Sequence, residues 1–200
     1  MLKKKRIRKN REERISEIIA AATKIFIEEG YSELSLRRIA KEVCISLSSV
    51  QYYFESKKSL LNTMLKAKID SYNSKLADFQ SKEHKPEKQL SNYVRFLIDD
   101  NTERDTCCFF TQFWAIGFQD EGNLALLSHT YGGHTESLAQ LIQNVFPERN
   151  KLDCLQRATI MSCMMEGAVA HVGYGLPIRP EFEGLSDRLH KEVMRIALQD

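Results

Sequence analysis

Between positions 46 and 52 this 200-residue chain places Ser46, Leu47, Ser48, Ser49, Gln51 and Tyr52. A glutamine amide offers a donor and an acceptor side by side, the pair that N6 and N7 of an adenine require, and an apolar side chain such as Leu47 suits a thymine methyl. Around this group stand Arg37, Arg38 and Lys57, with the hydroxyls of Ser35 and Tyr53. Cations and hydroxyls of this kind suit phosphate oxygens. The stretch therefore divides into candidate base readers (Leu47, Ser48, Ser49, Gln51, Tyr52) and candidate phosphate holders (Ser35, Arg37 or Arg38, Ser46, Tyr53, Lys57).

Local signals say what must position them. Ser35, Ser46 and Ser56 each precede a helical pattern, and a serine hydroxyl there accepts from a free N–H of the first turn. Leu36, Ile39, Ala40 and Val43 recur at helical spacing, Cys44-Ile45-Ser46 breaks the stripe, and Val50, Tyr53 and Phe54 face back from a second helix. Leu60, Leu61, Met64 and Leu65 open a third. Two crossed helices on a three-residue turn are a helix-turn-helix, whose second helix lies in the DNA major groove. An earlier helix, about Arg11–Glu29, presents Ile15, Ile18, Ile19, Ala22, Ile25 and Phe26 as its core, and Gly30 is a natural stop.

From Ile15 to Leu61 the chain resembles the DNA-binding domain of the tetracycline-repressor (TetR) family. That pattern has an amphipathic helix ending near a Gly-aromatic pair, here Gly30-Tyr31. Ser35, Arg37, Ile39-Ala40, Ile45-Ser46, Ser49, Tyr53-Phe54, Lys57 and Leu60 fall on the rest. Cys44 and Ser48 stand where the pattern has Gly, and Gln51 where it has Tyr. The Cys44 departure puts strain on any left-handed turn there. The Gln51 departure changes which bases are read.

The resemblance implies an all-α fold of about nine helices. A basic arm and helix-turn-helix head occupy residues 1–56, and a larger ligand-binding and dimerisation body occupies 57–200. It also implies a homodimer on a palindromic operator in double-stranded DNA, and a small-molecule effector inside the body. No cofactor is implied.

The body's own residues read as helices. A long one, about Lys57–Ser81, runs from head to body, and others follow near Glu87–Asn101, Asp105–Phe118, Asn123–Val145, Lys151–Val172 and Phe182–Leu198. Phe109, Phe110, Phe113, Trp114 and Phe118, with Cys107 and Cys108, are more apolar residues than one helix face holds. They are either body core or the wall of a cavity, and ligand pockets are mostly apolar with a few orienting polar groups. Met64, Tyr72, Cys108, Phe109, Phe113 and Trp114 are the candidate wall, with His129 and Glu166 as its polar contacts. Glu166 lies in the otherwise uncharged run 160–178 and must be partnered, solvated or neutralised. On the helix near Lys151–Val172 apolar residues spread around more than one buried face needs, and the resemblance implies that it and the helix near Phe182–Leu198 form the dimer contact.

Composition excludes other classes. Residues 1–60 hold 14 Lys/Arg against 8 Asp/Glu, and residues 61–200 hold 15 against 19. A basic head on a mildly acidic body suits DNA at one end only. The five cysteines show no metal-ligand spacing and point to a reducing, cytoplasmic setting. No signal peptide is read at the basic start, and uncharged runs of 14 residues fall short of a membrane span of ~20. No nucleophile–base pair, phosphate loop or metal motif is present, so no catalytic residue is assigned. The reading is a ligand-responsive DNA-binding transcriptional regulator, most simply a repressor released by an apolar or aromatic effector. Its rivals are a constitutive DNA-binding regulator and a helical small-molecule-binding protein or enzyme.

Overall fold

The computed structural model of the chain describes residues 10–177 and 179–199. The basic arm expected before Arg11 lies outside them except for Asn10. Ten α-helical segments occur among the described residues: α1 (Arg11–Glu28), α2 (Leu36–Glu42), α3 (Leu47–Tyr53), α4 (Lys57–Lys82), α5 (Pro86–Asp100), α6 (Arg104–Gly117), α7 (Glu121–Val145), α8 (Lys151–Gly167), α9 (Val169–Val172) and α10 (Leu185–Leu198). The single turn α9 continues α8 past Ala168, so nine principal helices are present, and no strand accompanies them among the described residues. The last helix starts at Leu185, later than expected, because Pro180–Phe182 form a 3₁₀ turn and Gly184 is left-handed at φ 69°.

The chain divides into two compact units, Met1–Lys68 and Ile69–Asp200, and the division falls inside α4. In the first unit the caps are local. Asn10 forms a capping box with Glu13. Ser35 accepts from the Arg38 N–H, Ser46 from the Ser49 N–H and Ser56 from the Ser59 N–H, each at 3.1 Å. Ile18, Ala22, Ile25 and Phe26 of α1, Ile39 and Ala40 of α2, and Val50 of α3 are buried. Gly30, at φ 93°, turns the chain out of α1.

The turn between α2 and α3 is a Schellman closure. The Cys44 N–H reaches the Lys41 carbonyl at 3.3 Å, and the Ile45 N–H reaches the Ala40 carbonyl at 3.0 Å. This closure needs a left-handed residue, and Cys44 takes it at φ 53°, where a glycine carries no Cβ penalty. Cys44→Gly is therefore expected to stabilise the first unit by up to about 1 kcal/mol, the left-handed cost less the extra chain entropy of glycine. Denaturant midpoints of the two proteins check this, and a lower midpoint in the variant would contradict it.

The core of the second unit is contributed by Leu90, Tyr93, Val94, Leu97 and Ile98 of α5, by Leu138, Leu141 and Ile142 of α7, by Ala158, Met161 and Met165 of α8, and by Val193 and Ala197 of α10. Arg149 donates to the Ala197 carbonyl and Arg157 to the Ile196 carbonyl, both at 2.7 Å. These bonds satisfy the free carbonyls at the end of α10 with cations, the charge that a helix C-terminus favours.

Candidate nucleic-acid face and body cavity

On α3 the serine cap does more than start the helix. The Ser46 hydroxyl lies 2.9 Å from that of Ser48 and 2.7 Å from that of Ser49, so the three hydroxyls form one cluster at the helix's N-terminal end. Ser48, Gln51 and Tyr52 are exposed, and Leu47, Ser49 and Tyr53 half-buried. Tyr52 is 77% exposed, unusual for so large a ring, and it meets Tyr53 edge to face with centroids 5.0 Å apart. Val50 faces inward. The outward side of α3 is thus a polar and aromatic strip of Ser48, Gln51 and Tyr52.

The expected phosphate holders separate into two groups. Arg38 braces the first unit: its guanidinium meets Glu29 at 2.6 Å and Glu42 at 2.8 Å, tying the end of α1 to α2. Lys57 is similarly engaged. Its ammonium donates to the Tyr31 carbonyl and lies 3.5 Å from the Tyr31 ring centroid, and burial lowers its pKa. Arg37 is exposed, and no ion pair or hydrogen bond of its side chain occurs among the described residues. Ser35 and Ser46 are occupied as caps but exposed.

In the second unit a cavity of about 30 Å³ is lined by Ile69, Tyr72, Leu97, Asn101, Phe110, Thr130, Tyr131, His134, Met165 and Glu166. That is room for one or two waters. This cavity takes in only part of the aromatic pocket expected from the sequence. Of its expected members, Tyr72 and Glu166 line the cavity. Phe109 and Phe113 are consumed by packing, at 2% and 0% exposure. Cys108 is half-buried and not in the lining, Met64 is buried but belongs to the first unit, and His129 is exposed on α7. The histidine that does line the cavity is His134, and Phe110, expected only as one of the aromatic group, lies stacked on Tyr72 with centroids 6.2 Å apart and planes 11° apart.

The polar groups form a relay. Trp114 Nε1–H donates to Tyr131 Oη at 2.5 Å, and Tyr131 Oη–H donates to Glu166 Oε2 at 3.5 Å. Tyr72 Oη–H donates to Asp100 at 2.7 Å. Burial pushes the Glu166 carboxyl up to about 7, opposed by the Tyr131 hydrogen bond, and pushes the His134 imidazole down to about 4. At neutral pH the cavity therefore holds a neutral histidine beside an acid poised to ionise. Asn101, Thr130, Tyr131 and His134 were not legible as one site, because they come from α7 and the far end of α5. Among the described residues no group of His, Cys, Asp and Glu is placed to hold a metal ion, and no helix is long and apolar enough to cross a membrane.

Comparison with known proteins bears on both units. A family model for bacterial regulatory proteins of the tetR family matches residues 18–64. Over 65 residues the chain is 38% identical to the HTH-type transcriptional regulator HbdR of Aromatoleum sp. (strain CIB), covering 32% of this chain and 28% of that protein. Over 87 residues it is 34% identical to the biofilm operon icaADBC HTH-type negative transcriptional regulator IcaR of Staphylococcus aureus (strain Newman), covering 44% and 47%. The chain thus spans less than half the length of these two relatives. A solved TetR transcription regulator from Haloarcula marismortui shares the fold, with a TM-score of 0.73 at 18% identity over 93% of this chain and 97% of that one. The helix-turn-helix geometry and these likenesses agree: residues 18–64 match the DNA-binding segment of the tetR family of bacterial regulatory proteins, and the described chain shares the fold of a solved TetR regulator.

Proposed function

We propose that the chain is a DNA-binding transcriptional regulator that acts as a repressor, as a homodimer on a palindromic operator in the cytoplasm. The outward strip of Ser48, Gln51 and Tyr52 on α3, within the matched segment, carries this reading. A likeness to a named negative regulator supports repression. The dimer is supported by Leu152, Thr159, Ile160, Cys163 and Gly167, an uncharged exposed stripe along α8. A symmetric dimer that reads a palindrome needs its two recognition helices ~34–36 Å apart, one DNA turn. An effector that favours another separation removes DNA affinity by its differential affinity for the two states.

The test on the DNA side uses operator fragments recovered by genomic footprinting. Gln51→Ala is expected to relax base preference at one position per half-site, worth ~1–3 kcal/mol. Arg37→Ala is expected to weaken binding to every sequence and lower the salt slope by about one. Even loss across sequences in the first variant, or an unchanged slope in the second, would overturn these roles. The small size of the cavity favours a second reading, a constitutive regulator with no effector. DNA affinity that no small molecule alters would support that reading.

A further inference from the structure

The walls of the body cavity point to one sign of charge. Glu166 is its one acid, and no Lys or Arg lines it among the described residues. The carboxylate sits in the last turn of α8, which carries no basic residue. Burial disfavours an anion there. Its one hydrogen bond among the described residues, from Tyr131 at 3.5 Å, leaves most of its acceptor capacity unused. The Asn101 amide donates to the Met165 carbonyl at 3.2 Å, and its own oxygen accepts nothing from the described residues. Tyr72, Phe110 and Tyr131 add aromatic rings, whose faces attract cations.

An anion in this cavity would meet the Glu166 carboxylate. A neutral apolar molecule would leave the acid uncompensated. A cation answers every wall at once, and the size of the space selects its form, since an –NH₃⁺ group is about as large as a water molecule and the cavity has room for one or two. We infer that the cavity is a site for the head of a protonated organic amine, with Glu166 as counter-ion, Asn101 Oδ1 as a second acceptor and the rings of Tyr72, Phe110 and Tyr131 as walls. The tail needs further room, and the half-buried Phe110 ring leaving its stack on Tyr72 supplies it. This assignment rests on the effector reading above and names the effector's chemical class.

The titratable groups facing Glu166 are Tyr131 and His134 of α7 and Tyr72 of α4, with Asp100 behind the Tyr72 hydroxyl. His134 is neutral at pH 7 because burial lowers its pKa, so it offers an incoming cation no repulsion. Binding therefore follows ionisation of Glu166.

The experiment is calorimetric titration of the full chain with hexylammonium, hexanoate and 1-hexanol, each at pH 6, 7 and 8. Hexylammonium is expected to bind at least tenfold more tightly than either other probe. Its affinity should climb by up to tenfold per pH unit to about pH 7 and level off above it. Glu166→Gln is expected to lose at least tenfold for hexylammonium and nothing for 1-hexanol. Equal binding of all three probes, stronger binding of hexanoate, no binding of any, or unchanged affinity in Glu166→Gln would each overturn the assignment. A parallel DNA-binding assay keeps the two readings apart. Hexanoate or hexanol that releases DNA would sink the amine class and leave the effector reading standing. Hexylammonium that binds without changing DNA affinity would do the reverse.

Discussion

Phe113→Ala is expected to destabilise the second unit by about 3–5 kcal/mol, the range for truncating a fully buried aromatic ring. Phe113 has no exposed surface, and Phe109, one turn earlier on α6, has 2%. At the end of the same helix a Cβ on Gly117 would stand 2.9 Å from Leu127 Cδ2, so α6 and α7 are already in close approach there. Packing that tight collapses little around a missing ring, and the void keeps its cost. Denaturant unfolding followed by circular dichroism reads the loss as a lower midpoint with helical content preserved before the transition. A loss below about 1 kcal/mol would show that the site relaxes or that the ring is not core. The consequence for function is practical: reduced ligand binding in this variant would report a weakened body and not a lost contact. Glu166→Gln is the cleaner probe of the cavity.

The first unit was legible because its signals are local. A serine hydroxyl reaches an N–H three residues on, so Ser35, Ser46 and Ser56 could be placed without knowing the fold. The left-handed strain at Cys44 followed from the same local geometry. Beyond the one-turn pair of Arg38 with Glu42, what Arg38 and Lys57 bind was not local. Arg38 finds Glu29 nine residues back, and Lys57 finds Tyr31 twenty-six residues back. Both therefore read as free for phosphates when only their neighbours in sequence were considered.

In the body, the aromatic surplus on α6 was visible but not its phase. Phe109 and Phe113 make one stripe and are buried, whereas Phe110 and Trp114 make the adjacent stripe and meet Tyr72 and Tyr131. Either stripe satisfies helical spacing, and only tertiary packing chooses between them. The histidines of α7 show the same limit. Positions 128–137 hold a single large apolar residue, Tyr131, so the periodicity that orients a helix is missing where it was needed. His129 faces solvent and His134 the cavity. Glu166 stands out in the sequence for an electrostatic reason, an acid in an uncharged run, because that argument needs no phase.

Glu166→Gln is also expected to stabilise the protein at pH 8 by on the order of 3 kcal/mol, and at pH 5 by no more than about 1 kcal/mol. The Glu166 carboxyl sits at about 7 in the fold against 4.5 for the free group. Between those values the folded chain holds a proton that the unfolded chain has released, so stability falls as pH rises. Each unit of difference is worth about 1.4 kcal/mol, which sets the size of the full penalty above pH 7. His134 acts in the opposite sense. Its imidazole sits at about 4 against 6.5, so its contribution is intact above pH 6.5 and lost as pH falls toward 4. From pH 4.5 to 6.5 the two slopes oppose each other, and the pair contributes a nearly flat profile. Glu166→Gln removes one slope and leaves stability climbing with pH through that window. His134→Gln removes the other and leaves stability falling from pH 4.5 to 7. Differences between each variant and the parent cancel every other titrating group, so urea midpoints at half-unit pH intervals suffice. Parent and Glu166→Gln curves that run parallel from pH 5 to 8 would show that the carboxyl is solvated or already paired. The amine site would then lose the unmet charge on which it depends.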